Sequence, residues 1–104
     1  MKKSFLLLLL ALLPMLASAY DAYIDGIYYN LNSTTKQAEV THRDWQYNSY
    51  SGTIVIPSSV TYNGIKYLVT SIGGSAFSSC TALTNTTIPN SVISIGASAF
   101  YGCI

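Results

Sequence analysis

Ser71-Ile72-Gly73-Gly74-Ser75-Ala76-Phe77-Ser78-Ser79-Cys80 recurs twenty-three positions later as Ser94-Ile95-Gly96-Ala97-Ser98-Ala99-Phe100-Tyr101-Gly102-Cys103. Upstream, Ile56-Pro57-Ser58-Ser59-Val60 recurs as Ile88-Pro89-Asn90-Ser91-Val92, but displaced by thirty-two. The nine extra residues of the first copy therefore lie within Thr61 to Ser71, where Asn63-Gly64 supplies a tight hairpin turn. A period of roughly 20 to 29 residues holding one short strand and one compact turn suits a solenoid, in which each coil makes one circuit and equivalent positions stack. Leu83, Ile88, Val92, Ile95, Ala99 and Phe100 are then the expected inward set of the second coil. Gly73 and Gly96 are expected where the chain turns sharply, at a positive φ that glycine adopts freely.

The segment ahead of the repeat reads as a small antiparallel meander. Ala22-Tyr23-Ile24 runs into Asp25-Gly26, a type I′ hairpin signal, and Ile27 to Leu31 runs out of it. Asn32 to Lys36 forms a polar loop, and Ala38 to His42 a third strand. Arg43 to Ser51 carries Trp45, Tyr47 and Tyr50 without a period, as expected for a connection that packs its rings onto the first repeat. Thr53 to Pro57 is a short apolar strand closed by proline, which has no N–H to donate to a ladder.

The first nineteen residues differ in kind. Lys2 and Lys3 precede the apolar run Phe5 to Leu13, and Ala17-Ser18-Ala19 supplies small residues for cleavage. This is the three-part pattern of a secretory signal peptide, predicting a mature start at Tyr20 and an exported protein. A permanent anchor needs about 20 apolar residues, and this run is shorter and broken by Pro14. No stable membrane span is therefore expected after cleavage.

Beyond residue 19, Lys36, Arg43 and Lys66 face Asp21, Asp25, Glu39 and Asp44, so the formal +1 of the whole chain describes no functional surface. Without a basic run there is no electrostatic footing for nucleic acid. Material for catalysis is scarce: His42 is the single histidine, and the four carboxylates all lie between residues 21 and 44. His42, Arg43 and Asp44 are adjacent along a strand end, where neighbours point to opposite faces. No enzyme activity, cofactor or metal site is expected. Cys80 and Cys103 occupy equivalent positions of adjacent coils, where stacking explains them as buried thiols and the parallel Cβ vectors suit a disulfide poorly.

Taken together, Leu83-x-x-Thr86-x-Ile88-Pro89-x-x-Val92-x-x-Ile95-Gly96-x-x-Ala99-Phe100-x-x-Cys103 resembles the leucine-rich repeats of the BspA-like bacterial surface proteins. The likeness covers residues 53–104, and the lead-in through Asp25-Gly26-Ile27-Tyr28-Tyr29 and Ala38 to Thr41 is similar to the N-terminal cap of many members. Thr86 departs from the pattern, standing where the family usually has Val or Ile. The implied fold is mainly β, a leucine-rich-repeat solenoid end of about two 23-residue coils with an N-terminal antiparallel hairpin cap. The expected organisation is 1–19 signal peptide, 20–51 cap and connection, and 52–104 repeat region. Within the last, a first coil carries the insertion 61–71, a second coil spans 81–103, and the series is expected to be cut off before closure. Sequons at Asn32 and Asn85 carry no weight in a protein of bacterial character.

Two surfaces are candidates for binding. With Leu83, Thr86 and Ile88 inward, Asn85 and Thr87 point outward, and the register places Thr53 and Val55 beside them on an uncharged, hydrogen-bonding face. The second comprises the tyrosines of hairpin and loop positions, Tyr50, Tyr62 and Tyr67, large contact residues of low entropic cost. Tyr23, Tyr28 and Tyr29 are instead expected to pair across the meander. The resemblance implies a secreted or surface-displayed adhesion protein, its ligand an extracellular protein or glycan such as the matrix glycoproteins fibronectin and fibrinogen. The alternative is a structural or carbohydrate-binding module at the N-terminus of a larger secreted enzyme.

Overall fold

The computed structural model describes residues 20–44 and 46–103; the expected signal peptide, residues 1–19, and Trp45 lie outside them. Strands β1 (Ala22–Ile24) and β2 (Ile27–Asn32) pair antiparallel, with Ile24 opposite Ile27. Their turn residues Asp25 and Gly26 have φ of 48° and 87°, both left-handed as a type I′ turn requires. The loop that follows is held by Asn32, whose Oδ1 accepts the Thr34 and Thr35 amides at 3.0 and 3.1 Å. It leads into β3 (Gln37–Thr41), antiparallel to β2. Strand β4 (Gly52–Val55) stops short of Pro57, and β5 (Ser59–Tyr62) and β6 (Ile65–Ile72) form the inserted hairpin. Its turn, Asn63 at φ 51° and Gly64 at 77°, is again left-handed twice over. Strands β7 (Leu83–Thr87) and β8 (Ser94–Ile95) belong to the second copy.

The two sequence offsets are the two ladder registers. Parallel β6 and β8 align Ser71 with Ser94 and Ile72 with Ile95, the displacement of 23. Parallel β4 and β7 align Thr53 with Asn85 and Val55 with Thr87, the displacement of 32. The turns that follow β6 and β8 stack as well, the amides of Ser75, Phe77 and Ser79 donating to the carbonyls of Ala97, Ala99 and Tyr101 at 3.0, 2.7 and 2.7 Å. The chain is therefore a solenoid with mainly β structure.

Strand β6 joins repeat to cap. One edge runs parallel to β3; the other pairs first with β5 and then, past the end of that strand, with β8. A six-stranded sheet results, in the order β1-β2-β3-β6-β5 with β8 also on β6. Its inner face supplies the core: Tyr29, Val40, Val60, Tyr67, Val69 and Ile72 are buried, and they pack with Phe77, Cys80 and Ala99 from the turns.

The glycines correct one expectation. Gly73 and Gly96 are absent from the left-handed residues; Ser75 and Ser98, two positions on, hold φ of 59° and 58° instead. What excludes a side chain is proximity. A Cβ on Gly96 would lie 2.5 Å from the Gly74 nitrogen, and one on Gly73 would lie 3.0 Å from Glu39 Cδ. Gly96 is needed because successive turns touch backbone to backbone, and Gly73 because Glu39 and the Val40 carbonyl of β3 fill its side-chain space.

Aromatic rings run through the molecule as a second connection. Phe77 and Phe100, equivalent positions of the two coils, stack at 4.9 Å with planes 2° apart; Tyr50 lies 4.6 Å from Phe77, and Tyr28 lies 5.9 Å from Tyr50. The 43–51 connection thus places a ring on the first repeat, although Tyr47 packs edge-on against His42 instead. Cys80 and Cys103 are free thiols; burial pushes Cys80 upward from its ordinary pKa, and Cys103 Sγ donates to the Phe77 carbonyl at 2.8 Å.

Candidate functional site

The predicted strand face is assembled as the offsets require. Thr53 and Val55 on β4 are exposed and sit in register with exposed Asn85 and Thr87 on β7. A register shift between Gly52 and Thr53 leaves Thr84 as the extra residue of β7. This bulge lets Leu83 and Thr86, an odd number of positions apart, both turn inward. Val55, at the end of β4 opposite Thr87, is 63% exposed, and the face holds no charge, offering hydroxyls and one amide beside this apolar residue. Behind it, Thr86 Oγ1 is buried without a hydrogen-bond partner in the protein.

The tyrosine candidates separate. Tyr62, beside the hairpin turn, is 38% exposed and available for contact. Tyr67 is 4% exposed, correcting its expected exposure: β6 alternates, and its place opposite Val60 turns the ring into the core. Tyr50 is likewise buried, at 3%, since its ring lies on Phe77 and its hydroxyl accepts the Tyr28 amide at 3.0 Å and donates to the Thr41 carbonyl. Desolvation raises the Tyr50 pKa well above the ordinary tyrosine value. Tyr23 and Tyr28 do pair across β1 and β2, at 4.4 Å, whereas Tyr29 faces the opposite side.

Of the inward set of the second coil, Ala99 is buried and Leu83, Val92 and Phe100 are half-buried. Ile88 and Ile95 remain exposed, the latter at 53%, because no further coil of the described residues lies over them.

Four of the charged side chains, Asp21, Glu39, Arg43 and Asp44, make contacts within the fold. Asp21 Oδ2 accepts the Leu31 amide at 2.8 Å, Asp44 pairs with Arg43 at 3.1 Å on the surface, and the Asn30 amide donates to Glu39 Oε1 at 3.4 Å. Among the described residues, no three metal-ligating side chains converge, and no helix is long and apolar enough to cross a membrane.

A feature the sequence reading did not single out is a shallow pocket of about 190 Å³ at the junction of β2, β3 and β6. Asn30, Asn32, Gln37, Glu39, Thr70 and Ser71 contribute its polar lining. The two-residue alternation of β2 and β3 is the signal that could have placed the first four on one outward face. The other two require the parallel pairing of β3 with β6, which joins residues thirty and more positions apart.

Comparison with known proteins identifies the fold. A family model for the BspA-type leucine-rich repeat region matches residues 47–104. Three crystal structures are similar: a leucine-rich repeat protein from Bacteroides ovatus ATCC 8483 (40% identity, TM-score 0.66), a leucine rich cell surface protein from Faecalibacterium prausnitzii A2-165 (30%, 0.65) and a leucine-rich repeat protein from Bacteroides capillosus ATCC 29799 (34%, 0.63). The matches cover 78%, 79% and 79% of this chain, but only 21%, 21% and 58% of those proteins. The search of curated proteins gives no match.

Proposed function

We propose, from the premise that this chain belongs to the BspA-type leucine-rich repeat family, that it is an exported, non-catalytic adhesion protein whose β4–β7 face binds extracellular macromolecules. The observation that carries this reading is the in-register, uncharged row of Thr53, Val55, Asn85 and Thr87 on two stacked strands. An uncharged face that joins hydroxyls and an amide to an exposed apolar residue suits a protein interface, where charge is depleted at the core. Export is supported by the leader-like residues 1–19, and surface location by the Faecalibacterium relative, which is described as a cell surface protein. The resemblance makes matrix glycoproteins such as fibronectin and fibrinogen the first ligands to try. Two stacked strands offer few contacts each, so useful strength would come from repetition of the face.

The test is surface binding to immobilised fibronectin and fibrinogen. Val55→Glu and Thr87→Lys add charge at exposed positions, so thermal midpoints should stay within a few degrees while binding falls about tenfold, the effect of about 1.4 kcal/mol. Normal binding by both variants would reject this face. Loss confined to Tyr62→Ala would move the site to the hairpin.

A further inference from the structure

We infer that the outer face of the cap holds a second, separate binding site, one for a neutral saccharide, formed by the β2–β3–β6 pocket and the tyrosine pair beside it. The site follows from strand register. Tyr23 stands opposite Tyr28, Asn30 opposite Glu39, and Asn32 opposite Gln37. Because side chains of one strand alternate between faces, Tyr28, Asn30 and Asn32 form one row, and their partners extend it onto β1 and β3. Ser71, opposite Glu39, carries the face onto β6. The register shift between Ala38 and Glu39 leaves Thr70 unpaired there and opens the pocket between the strands.

The chemistry of the lining selects the ligand class. Six polar residues line the pocket, with one carboxylate and no cation, so an anion finds no charged partner within it; Arg43, beside Tyr28, is already paired with Asp44. A single carboxylate is also too few for calcium, which takes six or more oxygen ligands. What remains suits hydroxyl groups, each of which donates and accepts at once. Asn30 donates to Glu39 Oε1, and Asn32 Oδ1 is taken by the loop amides, so both side chains are oriented in advance. Glu39 Oε2, the Asn32 NH₂ and the Gln37 amide are not used in those bonds. Glu39 is further positioned by Gly73, where even a methyl group would meet its carboxyl carbon at 3.0 Å.

Size and surroundings agree. The pocket is smaller than the roughly 300–1,000 Å³ of sites for drug-sized ligands, and so is suited to one sugar ring. About 7 Å along β2, two residues at the usual rise, lies the Tyr28 ring, packed at 4.4 Å against Tyr23, which is 57% exposed. Tyr28 also meets Tyr20 at 4.7 Å and Tyr50 at 5.9 Å, so it is the exposed Tyr23 ring that offers the apolar surface on which the C–H side of a neighbouring ring can rest. The site shares no residue with the β4–β7 face and stands independently of it.

The experiment is a chemical-shift titration of the full chain with methyl glycosides of glucose, galactose and mannose and with N-acetylglucosamine, alongside sialyllactose as an acidic comparison. Expected are millimolar-range shifts at Asn30, Gln37, Glu39 and Ser71 with at least one neutral sugar, stronger than with sialyllactose. Glu39→Gln should weaken binding about tenfold by removing a charged acceptor. Gln37→Ala, at an exposed position where folding is not at issue, should weaken it several-fold. Val55→Glu should leave it unchanged, which separates this site from the repeat face. No shift at these residues with any neutral sugar, preference for sialyllactose, or unchanged binding by both cap variants would overturn the proposal.

Discussion

At Gly96 a methyl group would stand 2.5 Å from one backbone atom of Gly74 and 2.8 Å from another, neither of which can move without parting the two turns. Gly96→Ala should therefore cost about 3 kcal/mol or more, at the upper end for overpacking. Gly102, where a Cβ would make only ordinary van der Waals contact with Ser79 at 3.5 Å but φ is 79°, should cost only about 1–2 kcal/mol when changed to Ala. Urea denaturation of the two variants gives the comparison, and equal losses would mean that backbone conformation governs both. Thr86 predicts the opposite sign. Its buried hydroxyl lacks a partner, so Thr86→Val should stabilise by about 1 kcal/mol and raise the melting midpoint by several degrees. The sequence identified Thr86 as an inward position by comparison with its repeat pattern. It placed the glycines correctly and misjudged their reason, because a pattern records that glycine is needed but not whether torsion or proximity demands it.

Among the elements, the β5–β6 hairpin has the widest consequence. Read from the chain, it is nine surplus residues with an Asn-Gly turn. Folded, its second strand is the sole ladder between the cap meander and the coils among the described strands. Gly64→Val forces a β-branched residue to φ 77° and should destabilise by about 2 kcal/mol or more. The measurement is hydrogen exchange, and protection should fall in β3 as well as in β5 and β6. Loss restricted to the hairpin tip would show that cap and coils hold together without it. The exposure of Tyr67 was misread for the same reason. A turn position predicts surface, but β6 continues inward along the sheet, and its alternation turns that ring into the core.

Over the whole molecule, sheet and aromatic row cross the same boundary between cap and repeat, so unfolding should be one transition. Far-ultraviolet circular dichroism and tyrosine fluorescence should report coincident urea curves. Alkali offers a second test. Burial, aided by the Asp25 carboxylate, raises Tyr29 from 10.0 to about 12, and burial shifts Tyr50 the same way. The unfolded chain loses these protons first, so the contribution to stability is complete below about pH 10 and is lost as pH rises toward 12. Tyr29→Phe, which removes a hydroxyl without a partner, should flatten that decline. What the sequence by itself determined were the repeat, both ladder offsets, the two left-handed hairpin turns and the outward β4–β7 row, because each is encoded in local spacing or in alternation along one strand. Only the tertiary structure decided that the hairpin bridges cap to coil, that Gly73 yields its side-chain space to Glu39, and that Thr70 and Ser71 join Asn30 and Glu39 around one pocket. Those outcomes depend on parallel pairing between distant strands, and parallel registers are set by how faces pack in space, not by any turn adjacent in the chain.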